Sequence, residues 1–127
     1  MSRDDIAAWL EHGGEPLSVD SAQEAATAGR EAGWRVVELT LTEPTDKAAL
    51  LRALQTAFAL PEWFGHNWDA LADVLRDVRP AEGEPGVLVV WSGAHLVAPP
   101  VREIALEILT ERCAQPGAPF RLAIAGG

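Results

Sequence analysis

A chain of 127 residues, 48% of them hydrophobic, has enough apolar material for one core, which argues against disorder and for a single domain. Its 19 acidic and 10 basic residues give a formal net charge of −9, which repels nucleic acid and anionic membranes, draws basic proteins, and at the least aids solubility. A lone cysteine, Cys113, excludes an intramolecular disulfide and a multi-cysteine zinc site. The N-terminal MSRDDIAAWLEHGG lacks the apolar run of a secretory signal, and nothing approaches the ~20 apolar residues of a membrane span, so a cytoplasmic location is expected.

In chain order, EPLSV (15–19) is a short strand candidate. Residues 20–33 follow as a helix, with Asp20 or Ser21 as N-cap and Gly33 as its stop. RVVELTL (35–41) sets Val37, Leu39 and Leu41 against Val36, Glu38 and Thr40, the alternation of a strand buried on at least one face. After the turn TEPTD, residues 46–59 carry Leu50, Leu51, Leu54, Ala57 and Phe58 at helical spacing. Asp46 or Thr45 caps that helix, and Pro61 ends it, because the residue before a proline is pushed out of helical geometry. A further helix starts near Asn67 and runs to about Val78, followed by the loop RPAEGEPG (79–86). VLVVW (87–91) is apolar throughout, as a central strand covered on both faces should be. Pro99 and Pro100 suit a helix start, and Ile104, Ala105, Ile108 and Leu109 supply its apolar stripe. QPGAP breaks it before a last strand, FRLAIAG (120–126). This order predicts an α/β fold: a small, mainly parallel β-sheet packed with helices in two or three layers.

The stretch LPEWFGHNWDALADVL (60–75) concentrates the chemistry. With Asn67 as N-cap, Trp68, Leu71, Val74, Leu75 and Val78 share one arc, while Asp69, Asp73 and Asp77 share the opposite arc. Like charges four residues apart destabilise an isolated helix by roughly 0.2–0.5 kcal/mol per pair. The helix dipole at Asp69 and an Asp73–Arg76 pair offset part of this, and on spacing alone an ordinary helix start with a surface ion pair suffices. The preceding loop adds weight to a functional reading. Gly65 provides a tight approach or a positive φ, and Trp63 and Phe64 cannot easily both turn inward from so short a loop. At least one of them is expected as an exposed anchor, against the alternative that both cap the core.

An acid–base pair of Asp69 and Asp73 would need a deep pocket and one raised carboxyl, yet the dipole keeps Asp69 ionised. No glycine-rich phosphate loop or G-x-S-x-G elbow accompanies it. A metal set of His66, Asp69 and Asp73 has one histidine, with His12 and His95 far away in sequence, so no metal or other cofactor is expected. An acidic surface for a basic protein remains.

LPEWFGHNWDALADVL resembles, without gaps, a segment of the barstar family of intracellular inhibitors of barnase-type ribonucleases. The shared pattern is leucine-proline-glutamate, two aromatics, glycine, x, asparagine, x, aspartate-alanine-leucine, x, aspartate. VVELTL, a helix into Leu60-Pro61, VLVVW, a helix and FRLAIAG follow the family order over about residues 35–126. That leaves residues 1–34 as an N-terminal extension, adding a strand and a helix to one barstar-like domain over 1–127. The resemblance implies an inhibitor rather than an enzyme, binding through Trp63, Phe64, Gly65, Asn67, Asp69, Ala72, Asp73, Arg76, Asp77 and Glu111. Asp69 and Asp73 would enter the nuclease active site, with Asp73 at the position of the family's dominant aspartate, itself a standard example of a binding hot spot. An ungapped count along ALEILTER puts Glu111 on a family glutamate that also contacts the nuclease.

The chain departs from the family at five positions. Ala72 stands where the family helix presents a tryptophan, Arg76 and Asp77 replace a smaller and less charged edge, and His66 and Trp68 replace other residue types. The implied partner is a basic secreted ribonuclease, barnase-like or guanyl-specific, bound 1:1 by a chain that is monomeric when free, with no nucleic acid or membrane involved. An antitoxin or immunity protein against a basic toxin that is not a ribonuclease would use the same surface, and sequence does not separate the two.

Overall fold

The computed structural model describes residues 2–62 and 64–125. Helix α1 (Arg3–His12) leads into strand β1 (Leu17–Val19), α2 (Ala22–Glu31), β2 (Arg35–Thr40), α3 (Lys47–Ala57) and α4 (Trp68–Leu75). Strand β3 (Val87–Ser92), a 3-10 turn (Ala94–Leu96), α5 (Pro99–Ala114) and β4 (Phe120–Ala125) complete the order. The four strands form one sheet in the order β1-β4-β3-β2, all parallel, with Val37 beside Val89 and Val89 beside Leu122 in register.

Helices cover both faces. On one, α2 lies across β2, β3 and β4, with α1 packed on α2. On the other, α3, α4 and α5 pack on Val37, Leu39, Val89, Trp91, Phe120 and Leu122. This explains the unbroken apolar run of β3, which is central: residues 87–91 are all buried. β2 is an edge strand, and it buries Val37 and Leu39 while exposing Glu38 and Thr40.

The N-terminal segment gives one strand, as expected, but two helices instead of one. α1 is locally encoded: the Ser2 hydroxyl accepts from the Asp5 amide at 3.2 Å, and the Asp5 carboxylate accepts from the Ser2 amide at 3.2 Å. This capping box is followed by Ile6 and Leu10 on one face, both buried. Arg121, on β4, is buried and donates from Nε to the Leu10 carbonyl at 3.2 Å, tying the end of α1 to the sheet.

Several boundaries settle between alternatives. Ser21 caps α2 by accepting from the Glu24 amide at 3.2 Å, and Asp46 caps α3 by accepting from the Ala49 amide at 2.8 Å. α4 is regular to Leu75 rather than Val78. Its last turn tightens into shorter bonds, from the Asp77 amide to the Val74 carbonyl at 3.0 Å and from the Val78 amide to the Leu75 carbonyl at 3.1 Å.

Candidate partner-binding surface

The loop between α3 and α4 is set by how α3 ends. The Leu60 amide donates to the Gln55 carbonyl at 2.9 Å and the Ala59 amide to the Thr56 carbonyl at 3.2 Å, with Ala59 left-handed at φ 53°. That is a Schellman turn, which usually holds glycine at this position, and Pro61 follows it. The helix therefore stops two residues before the expected Ala59, in a turn completed before the proline.

Gln55 then holds both ends of the loop. Its Nε2 donates to the Pro61 carbonyl at 3.0 Å, and its Oε1 lies 2.6 Å from His66 Nε2. Since that oxygen can only accept, the imidazole donates through Nε2. Asn67 works in two directions as well, accepting from the Ala70 amide at 2.8 Å as N-cap and donating from Nδ2 to the Gly65 carbonyl at 3.2 Å. A Cβ at Gly65 would lie 3.2 Å from Asn67 Nδ2, so close approach, not positive φ, is what glycine supplies. The left-handed residue is His66, at φ 47°. Such a backbone costs roughly 1–2 kcal/mol in a residue with a Cβ; the Gln55 bond and an edge-to-face contact with Phe64 at 5.1 Å hold His66 there.

Phe64 differs from its expected place on the rim. It is 3% exposed and belongs to the core, so it anchors the loop from inside. Trp63, the other aromatic anchor named from the sequence, lies outside the described residues. Gly65 and Asn67 are exposed beside it in sequence.

Along α4 the two arcs separate as the periodicity requires. Leu71, Leu75 and Val78 are buried, and Trp68 and Val74 are half-buried, with Lys47 Nζ 5.4 Å from the Trp68 ring centre. Asp69, Asp73 and Asp77 are exposed, and Ala72 is half-buried between them. Arg76 approaches Asp73 at 3.4 Å, with side chains 64% and 72% exposed, a long contact in high dielectric that contributes little. Asp69 sits in the first turn, where the dipole favours it, whereas Asp77 lies past the helix end, where it does not.

Arg112 on α5 fixes the far end of α4, and sequence reading did not single it out. Its side chain is buried; Nε donates to the Leu75 carbonyl at 2.7 Å, Nη2 donates to the Val78 carbonyl at 2.8 Å, and the guanidinium lies 4.6 Å from the Phe120 ring centre. Burial, and then the like charge of Arg79, lower its pKa, but two carbonyl acceptors stabilise the cation. Glu111 is exposed on the same turn of α5, so the end of α5 that carries it lies alongside α4. The next residue, Cys113, is half-buried, and burial pushes its thiol up to about 11, which makes it a poor nucleophile at neutral pH.

Chemically this surface offers carboxylates on a rigid support. Among the described residues, no group of three His, Cys, Asp or Glu is placed to hold a metal ion. Asp77 edges a hollow of about 280 Å³ with Arg35, Pro61 and Val74. No curated protein matches the chain. A family model described as Barstar (barnase inhibitor) matches residues 34–125, from just before β2 to the end of β4. That range contains the loop, α4 and the end of α5, and leaves α1, β1 and α2 outside it, so the chain belongs to the barstar, or barnase inhibitor, family.

Proposed function

We propose that this chain is a cytoplasmic inhibitor of a basic, secreted microbial ribonuclease of barnase-like or guanyl-specific type, bound 1:1. It acts by occupying the active site and performs no chemistry of its own. The observation that carries this reading is the exposed row of Asp69 and Asp73 on a helix whose opposite face, Leu71 and Leu75, is fully buried. A ribonuclease must gather cationic side chains to hold phosphate. Carboxylates presented on a fixed helix satisfy those cations through short, charge-assisted hydrogen bonds. The net charge of −9 adds attraction at a distance, raising the association rate in a salt-dependent way.

The test is to titrate the purified chain into small secreted ribonucleases, guanine-preferring ones included, and follow RNA cleavage at low salt. Stoichiometric inhibition of at least one is expected. Failure against all of them contradicts the ribonuclease reading and leaves a basic toxin of another kind as the target.

A further inference from the structure

The end of α4 carries charge opposite to its acidic row. Four of the 10 basic residues of the chain, Arg35, Arg76, Arg79 and Arg112, meet there. Two are engaged with backbone: Arg112 with the Leu75 and Val78 carbonyls, and Arg35, whose Nη1 donates to the Arg79 carbonyl at 2.9 Å. The other two stand at the surface. Among the described residues, Arg76 has only its 3.4 Å contact with Asp73 and Arg79 has no carboxylate partner. Arg76, Arg79 and Arg112 line one hollow of about 240 Å³ together with Gln115, Pro116 and Ala118.

Three guanidinium groups around one hollow repel each other, and this chain has 19 carboxylates from which a neutralising partner could have been drawn. The planar guanidinium fork suits a carboxylate or a phosphate. A polyanion is disfavoured here, because Asp73 and Asp77 flank Arg76 and the chain as a whole is strongly negative. A single acidic side chain on an otherwise basic protein meets both conditions. We propose that Arg76 and Arg79 receive an acidic side chain of the same partner whose cationic site takes Asp69 and Asp73. The contact is then bipolar, and the arginine notch fixes its register and helps select the partner. This rests on the inhibitor reading.

Long-range and local electrostatics predict opposite signs, which makes the test sharp. Arg79→Glu and Arg102→Glu each change the chain by the same charge, and Arg102 lies ten residues before Arg112 on α5, about 15 Å along the helix. A basic partner should bind a more negative chain at least as well, so Arg102→Glu is expected to leave inhibition unchanged or tighten it. Arg79→Glu is expected to weaken it tenfold or more, chiefly through faster dissociation, with a urea midpoint that does not fall, because the substitution removes a like charge beside Arg112. The measurement is the inhibition constant and dissociation rate against whichever ribonuclease of the panel the unmodified chain inhibits. If Arg79→Glu binds as tightly as Arg102→Glu, the notch is overturned while the inhibitor reading stands. If the unmodified chain inhibits none of the panel, both fall.

Discussion

The two faces of the sheet are built from different material. Ala25, Ala26, Ala28 and Gly29 line the buried side of α2, and a Cβ on Gly29 would come within 2.7 Å of Leu88 Cδ2. The opposite face is filled with Leu50, Leu51, Leu54, Leu71, Leu75 and Leu109 together with Phe58, Phe64 and Phe120. Small residues let α2 sit close against the strands. Large ones on the other side give α4 and its loop a deep foundation, so that exposed carboxylates are held still. The difference separates what covers the sheet from what presents the proposed binding surface, and only the second lies wholly within the range matched by the family.

Cutting into the foundation should have the largest effect on stability. Leu71 is fully buried under α4, so Leu71→Ala is expected to lose about 2–5 kcal/mol in urea denaturation. Inhibition should weaken as well, because the acidic row moves with the helix. A loss below about 1 kcal/mol would mean that α4 rests only loosely on the core.

Gly29→Ala probes the other face. Overpacking of about 1–3 kcal/mol is offset by a helix-propensity gain of about 1 kcal/mol, for a net loss of about 1 kcal/mol. Inhibition by the folded variant should not change. Any change in dissociation rate would show that the extension face communicates with α4, and the contrast between the faces would collapse.

Gln55→Ala is expected to lose less than about 1 kcal/mol, since both of its bonds lie near solvent, where water replaces most of what they contribute. Its signature is local: amides of residues 64–66 should exchange faster with solvent while those of α4 keep their protection. Unchanged exchange there would show that Phe64 alone holds the loop.

The sequence announced the parts of this site that depend on neighbours within one turn. Asn67 as cap, the acidic arc opposite Leu71 and Leu75, and the Asp73–Arg76 approach all follow from helical spacing. Parts that depend on distant partners were silent. Arg112 reads as one more polar residue of α5, because the carbonyls that it holds lie 37 and 34 residues earlier in the chain. The burial of Phe64 depends on the core it meets, which no local pattern states. At Gly65 the close approach to Asn67 is the alternative that the structure bears out, while the positive φ falls on His66, whose ring Gln55 and Phe64 secure. α1 is a different case. Ser2 and Asp5, followed by Ile6 and Leu10, make a capping box and an apolar face that depend only on neighbours within the first turns.

The central claim is that the acidic row of α4 binds and does not merely dissolve the chain. The direct measurement compares the unmodified chain with Asp73→Ala, for inhibition of the ribonuclease panel and for urea stability. Asp73 is exposed and its ion pair with Arg76 is long, so stability should move by less than about 1 kcal/mol. Binding should weaken by several kcal/mol, as for a hot spot at the centre of an interface. Equal inhibition by the two proteins would contradict the account and reduce the row to a solvated helix face.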